Sequence, residues 1–338
     1  FSLEGFAFFT EAIFLGIYLY GWQRLSERAH WWAGVAIAVS GTISGIFVVF
    51  ANAWMNSPTG FRVVDGKPVD IDPIAAMLNP ASFSQSLHMT LAAFATTGIA
   101  VAGIHAWMLR RDPSAAFHRA ALKVALMVAV PASLLQVVSG DLSAKFLAKW
   151  QPVKLAALEG HFETERGASL VIGGIPDVSA GVTRYAIKVP KMLSVLAFGD
   201  PDAEVRGLNA FPREDWPPVA VTHLAFQIMV GLGALMALAS LWVILCWIRK
   251  REVAHNRPLL TFLAVLTPAG FIAVEAGWVV TEVGRQPWII QGFMRTVDAV
   301  TPMPGLVIPF TIFTVLYLFL GVIVAWLLWA QIIRVRPA

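Results

Sequence analysis

Charge is what this sequence has least of. Asp, Glu, Lys and Arg together make up 14% of its 338 residues, where a soluble globular chain carries roughly 25%. So little polar surface excludes an ordinary water-soluble globule and leaves most of the chain facing lipid or the inside of a helix bundle. Cysteine is scarcer still: Cys246 stands alone, within an apolar run. A single thiol excludes an internal disulfide, a cysteine-ligated iron–sulfur cluster and the paired-cysteine attachment of c-type haem. Internal repeats and low-complexity tracts are absent as well. The net charge is +4, and a basic balance can signal nucleic acid. The distribution argues against that partner, because the basic residues fall in short loops between apolar runs, where they set topology.

What is abundant is apolar sequence. Hydrophobic residues reach 57% and mean hydropathy is +0.69, while 13 Trp and 22 Phe suit interfacial belts and cofactor-lined cores equally. Spanning a bilayer takes about 20 helical residues. Seven stretches are long enough, near 1–22, 31–54, 84–109, 120–139, 216–248, 258–283 and 305–333. The expected fold class is all-α, a polytopic transmembrane helix bundle. Basic clusters at Arg24 and Arg28, at Arg110, Arg111, Arg119 and Lys123, at Arg249, Lys250, Arg251 and Arg257, and at Arg334 and Arg336 fall on alternate sides of successive spans. All four therefore share one side, the cytoplasm by the positive-inside rule. The opposite short loops hold Arg62, Lys67, Arg285 and Arg295.

The first span opens at Phe1 with no basic leader and no cleavage site, so it does not read as a signal peptide. A chain opening mid-helix on the outer side is expected to be a fragment. Residues 140–215 form one long external loop with Gly-Gly, Asp-Pro and Pro-Pro breaks, and loops of that length are usually functional or disordered. The expected organisation is a four-helix transmembrane half over 1–139, the external loop over 140–215 and a three-helix transmembrane half over 216–338.

Ionisable groups inside spans are costly and point to function. Glu4 and Glu11 share the first span; about two turns separate them, so they lie on one face roughly 10 Å apart along the axis. They read as a functional pair or as hydrogen-bonded structural acids. Glu275 lies in F-I-A-V-E-A-G-W, with no basic residue near it in sequence. A carboxyl there suits a haem-iron ligand or a proton carrier, or else a neutral acid bonded to a backbone carbonyl. Among seven histidines, His88 and His105 stand out within spans, on one helix and roughly 25 Å apart. A di-haem bundle with two histidines on each of two helices is not built here, whereas a histidine paired with methionine stays open. In this topology Glu4, Glu11, His88 and Glu275 fall in the outer half of the membrane, with Met229 nearer the middle. That shared depth predicts one cofactor cluster near the outer face.

The runs L-E-G-F-A-F-F-T-E-A-I-F-L-G, A-N-A-W-M-N-S-P, K-L-A-A-L-E and V-E-A-G-W-V-V-T-E-V-G-R-Q-P-W resemble subunit I of cytochrome bd-type quinol oxidases, and the similarity runs from Phe1 to the last span. The stretch G-R-Q-P-W, Gly284 to Trp288, is the most specific. The resemblance implies that His88 and Met229 are the axial ligands of a low-spin haem b and Glu275 the ligand of a high-spin haem b. Glu4 and Glu11 would serve the oxygen-reducing haem, a haem d or a further haem b, as ligand or proton donor. Lys154 and Glu159 match the quinol-interacting pair of the external loop, though on sequence alone they equally fit a solvated helix face. Asn52, Asp141, Arg285 and Trp288 are implied cofactor-binding or network residues. By the same resemblance the protein is an enzyme of the bacterial cytoplasmic (inner) membrane that oxidises ubiquinol or menaquinol at its outer side. It reduces oxygen to water with cytoplasmic protons, Glu11 being a plausible last relay, and builds a proton gradient without pumping. A subunit II and small accessory subunits are implied partners.

Several departures stand against the family pattern. The family has two spans more than are read here, and its first carries a haem-ligating histidine with no counterpart in this sequence. Glu4 and Glu11 are one residue closer than expected, Gln227 stands where an Arg commonly precedes the haem Met, and the quinol loop is short, as in the cyanide-insensitive branch. Two other readings are a haem b electron-transfer subunit without oxygen reduction and, in a different class, a proton-coupled transporter using intramembrane carboxylates.

Overall fold

In lipid, backbone groups find no partner but each other, so apolar runs of this length fold as helix. The computed structural model describes residues 2–334. Phe1 and Arg336, used above for the first span and for topology, lie outside the described residues. Seven crossings are long and apolar enough to span a membrane, matching the expected all-α bundle. In chain order the helices are α1 (Ser2–Tyr20), α2 (Glu27–Asn56), α3 (Pro73–Met77), α4 (Ser82–Arg111), α5 (Ala116–Trp150), α6 (Pro152–Glu159), α7 (Met192–Phe198), α8 (Val219–Ile248), α9 (Arg257–Val265), α10 (Ala269–Glu282) and α11 (Val307–Arg334). The loops carry short antiparallel ladders. Arg62–Val64 (β1) pairs with Lys67–Val69 (β2), Glu165–Arg166 (β3) with Glu204–Val205 (β8), and Leu170–Ile172 (β4) with Ile187–Val189 (β7). Ile175–Asp177 (β5) pairs with Val182–Arg184 (β6), and Trp288–Ile290 (β9) with Met294–Arg295 (β10).

Local chemistry sets the boundaries. Ser26 Oγ accepts from Ala29 N at the start of α2 and Asn256 Oδ1 from Leu259 N at the start of α9, each satisfying a donor the first helical turn leaves free. The expected span near 258–283 is one crossing built from α9 and α10, interrupted before Pro268, which has no N–H to continue the ladder. α5 continues beyond 139 to Trp150, so the external loop begins as a rigid extension of a span.

The core lies toward the inner ends of α4, α5, α8 and α9. Ile99, Leu109, Leu122, Leu126, Val243, Leu259, Leu260 and Leu263 are all at most 2% exposed and belong to one cluster. Small residues let these helices close on each other. At Gly98 of α4 a Cβ would stand 2.9 Å from the N, Cα and Cβ of Ala129 on α5. α1 buries no residue and packs mainly on α2. The segment from Val297 forms a separate compact unit; within it α11 is apolar on every described face, a surface suited to lipid.

Gly98 yields a direct check. Its neighbour is backbone, which cannot swing aside, so Gly98→Val should destabilise the fold by about 1–3 kcal/mol through overpacking. The expected readout is a lower thermal unfolding midpoint for the detergent-purified protein.

Candidate functional site

Polar side chains gather at the outer ends of α2, α5, α6 and α10. Gln151, the joint between α5 and α6, is buried, and its Nε2 donates to Asn56 O at 2.7 Å. Asn56 Nδ2 donates to Asn52 O at 2.9 Å and to its Oδ1 at 3.0 Å. Asn52 Nδ2 donates in turn to Glu282 Oε1 at 2.5 Å, and Arg285 Nη2 to Glu282 Oε2 at 2.5 Å. Arg285 is 6% exposed, and among the described residues its Nε and Nη1 have no partner. Lys154 Nζ donates to Thr281 O at 3.2 Å. Gly284 keeps this packing open, since a Cβ there would come within 3.3 Å of Lys154 Cε and 3.1 Å of Thr222 Cγ2.

Two cations thus stand near one carboxylate: Arg285 pairs with Glu282, and Lys154 feels its charge without touching it. Burial, and after it the nearby Arg285 charge, lower the Lys154 ammonium to about 7, with Glu282 opposing both. Burial also lowers Arg285, against the pull of Glu282, though a guanidinium stays charged at any ordinary pH. Glu159, at the other end of α6, is pushed up to about 8 by burial, with a hydrogen bond from Val171 N–H opposing the rise. Its Oε2 is buried and without a partner among the described residues. The solvated-helix-face alternative for Lys154 and Glu159 therefore does not hold, as every residue of α6 from Lys154 to Glu159 is buried.

Deeper in the bundle, His88 of α4 faces α5. Ser139 Oγ donates to Gln136 O at 2.9 Å, so it is the Ser139 lone pairs that meet His88 Nδ1 at 3.0 Å. Nδ1 then carries the ring proton. Nε2 keeps its lone pair, which the Gln136 amide nitrogen meets at 3.0 Å. This is the tautomer that metal ligation through Nε2 requires. Met229 of α8 rests on Gly277 of α10, where a Cβ would stand 3.2 Å from its Sδ; any larger residue there would displace the thioether. Glu275 is exposed on α10, two residues before that contact, and Glu4 is half-buried on α1. The Glu11 carboxyl packs against Gly41 of α2, with a Cβ position 3.2 Å away.

Of the residues expected from sequence, the structure joins Asn52, Arg285 and Lys154 in one cluster. Two of those outside it are held by basic neighbours of their own. Asp141 pairs with Lys145 at 2.6 Å, and Trp288 lies under the Arg295 guanidinium, 4.7 Å from its ring centroid. Glu282, Gln151, Asn56, Ser139 and Gln136 were missed. Glu282 had a signal: it sits in the same run as Glu275 and on the same helix face, about two turns on.

The family profile described as cytochrome bd terminal oxidase subunit I matches residues 1–336. The chain belongs to the cytochrome bd terminal oxidase subunit I family. It is 37% identical over 336 residues to the putative cytochrome bd menaquinol oxidase subunit I of Bacillus subtilis (strain 168), covering 97% of this chain and 75% of that one. It is 32% identical to the cytochrome bd ubiquinol oxidase subunit 1 of the same organism, over 95% of this chain and 71% of the relative. The solved bd oxidase from Geobacillus thermodenitrificans superposes with a TM-score of 0.88 at 37% identity, covering 99% of this chain and 77% of that one. Membership of the cytochrome bd family favours neither the transporter nor an electron-transfer subunit without oxygen reduction.

Family membership implies haem, and the residues present fit it. Among the described residues no three His, Cys, Asp or Glu side chains converge as for a bare metal ion, whereas haem asks the protein for one or two axial donors. His88 Nε2 offers a lone pair, met here by the Gln136 amide, on a ring held from behind by Ser139, and Met229 offers a thioether in a glycine-lined seat. The spare Arg285 donors suit an acidic group such as a propionate.

The Ser139 hydroxyl is testable. Ser139→Ala removes the acceptor for His88 Nδ1–H, and losing such a partner typically weakens metal retention about tenfold. Haem per polypeptide, from pigment extraction and the reduced-minus-oxidised spectrum, should fall in Ser139→Ala and recover in Ser139→Thr, which keeps the hydroxyl.

Proposed function

We propose that this chain is the haem-carrying subunit of a quinol:dioxygen oxidoreductase that oxidises quinol at the external loop and reduces oxygen to water, building a proton gradient without pumping. The observation that carries the site assignment is the burial of Lys154 and Glu159 on one short helix, flanked by the Arg285–Glu282 pair. Oxidising a quinol means taking two protons from its hydroxyls, and proton acceptors work best with pKa values near the working pH. Lys154 at about 7 and Glu159 at about 8 meet that condition. Glu159 Oε2 is the unpartnered acceptor to which a quinol hydroxyl would be donated. The Lys154 amine, neutral above about pH 7, would accept the proton of the other hydroxyl.

Bound haem supplies the electron path from quinol and the iron at which dioxygen is reduced. We assign His88 and Met229 to a low-spin haem b and Glu275 to a high-spin haem b. The third haem, a haem d or a further haem b, falls near Glu4 and Glu11. Asn52 and Arg285 would anchor acidic groups of the cofactors, with Glu282 orienting both. Asp141 and Trp288 remain assigned to the surroundings of the haems, each already held by a basic residue. Glu11, deeper in α1 than Glu4, is assigned the last proton relay from the cytoplasm. Ubiquinol or menaquinol is the substrate class, a subunit II and small accessory subunits are the partners, and the inner membrane is the location. The basic loops on one face support a quinol loop on the outer side.

Two measurements test this reading. The reduced-minus-oxidised spectrum of the purified complex should show low-spin haem b together with a second, high-spin pigment. The kcat/KM for quinol should rise with pH across about 7 to 8 as Lys154 and Glu159 lose their protons. Glu159→Gln cannot accept a proton and should lower kcat/KM by about a hundredfold and flatten the upper part of that limb. Wild-type kinetics in Glu159→Gln would overturn the assignment of the quinol acid.

A further inference from the structure

Strand β4 is paired along one edge only. Its ladder to β7 matches Leu170 with Val189, Val171 with Lys188 and Ile172 with Ile187, and among the described residues no strand meets the opposite edge. Backbone groups on such an edge need partners once water is excluded. Side chains provide them. Gln227 Nε2 donates to Val171 O at 3.1 Å, and Gly173 N donates to Gln227 Oε1 at 2.9 Å. His223 Nε2 lies 3.1 Å from Gly173 O. The remaining group, Val171 N–H, lies beside the Glu159 carboxyl and favours its ionised form.

The fit is one of spacing. Val171 lies on β4 and Gly173 just past its end, each offering a backbone group to α8, while His223 and Gln227 are one helical turn apart on α8 and share a face. His223 is fully buried and also reaches back to the other side of Glu159, its Nδ1 lying 2.7 Å from Leu158 O. Gly160 makes that approach feasible, since a Cβ there would stand 3.2 Å from Nδ1. Helix α8 therefore grips the chain both at the acid's own helix and at the strand that lies beside the acid. Neither residue is needed to fill the aliphatic core, whose α8 members begin at Met236.

We infer that His223 and Gln227 are positioning residues for quinol oxidation: they act as the strand partner that β4 lacks and so hold the Glu159 carboxylate in one orientation toward the substrate. This rests on the reading of Glu159 as the quinol acid. Gln227 is well chosen for the task, because a primary amide donates and accepts in the plane just as a peptide group does, whereas the Arg that commonly stands at this place in the family only donates. Met229 follows two residues later on the same helix, so the latch also ties the loop to the helix assigned to the low-spin haem.

The test uses the complete, purified oxidase. Gln227→Leu keeps the approximate volume and removes both hydrogen bonds to the strand. The quinol KM should rise about tenfold, as loss of two such bonds allows, with kcat changed by less than about a factor of two and the haem bands as in the parent. Gln227→Glu keeps the acceptor for Gly173 N–H and loses the donor to Val171 O, and should give an intermediate KM. An unchanged KM in both variants, or a loss of activity that follows loss of haem, would overturn the positioning role. Glu159→Gln measured alongside separates the two readings. If it leaves quinol kinetics intact, the quinol site itself is misassigned; if it impairs them while Gln227→Leu does not, only the latch fails.

Discussion

Lys154 and Arg285 are buried beside a single carboxylate, Glu282, which Arg285 pairs with and whose charge Lys154 feels without touching it, and the polar end of this bundle is arranged around that imbalance. Removing one charge of a buried cluster typically costs several kcal/mol because the partner is left uncompensated. Glu282 is therefore held from both sides, by Arg285 and by the Asn52 amide. Asn52 is steadied by Asn56, and Asn56 by Gln151 at the hinge between α5 and α6. Four elements that are distant in sequence converge because each contributes one polar group to the same charge problem. The positive surplus that remains is also what makes the place useful, since it favours an acidic cofactor edge and an ionising quinol.

The bundle divides by depth as well as by sequence. Toward the basic loops, α4, α5, α8 and α9 close over leucine, alanine and valine with glycine at the crossings, a dry region that fixes the relative rotation of the helices. Toward the other end α4 and α8 carry His88 and Met229, and the polar cluster gathers on α2, α6 and α10. Ligand geometry at one end is thus inherited from packing at the other: α4 and α5 meet closely at Gly98 and Ala129, and farther along the same pair presents His88 to Ser139. A site built on helices locked in this way holds its groups more accurately than loops would.

Sequence reasoning reached the spans, the bundle and the family, because hydropathy and basic loops report directly on the bilayer. It found Lys154 and Glu159 only through resemblance; neither composition nor spacing says that a short loop helix is wholly buried. It singled out Glu275, conspicuous in the middle of an apolar run, and passed over Glu282, which lies at a membrane edge where a carboxylate looks ordinary. Burial and partners decide that difference, and they belong to the tertiary structure. Ser139 and Gln136 were invisible for the same reason, since a serine or glutamine in a span carries no charge to draw attention. Gln227 was noticed only as a departure from the family pattern. Its meaning came from the strand it pairs with, more than fifty residues away in sequence.

The loop between α5 and α8 poses the last physical question. Its ladders are two-stranded and at most three residues long, and isolated pairs of that size are marginal in water. Such a loop does not hold its own shape, so its geometry must be borrowed from α6 and α8, the rigid elements that bracket it. Under the proposed reading of Glu159, a quinol with a long apolar tail would have to displace the strand beside it. The acid nevertheless has to return to the same orientation for each turnover. A strand with little intrinsic stability, clipped to a helix by a few hydrogen bonds worth about 1 kcal/mol each, satisfies both demands. A more extensive sheet would hold the acid but close the entrance, and a bare loop would open but lose the acid.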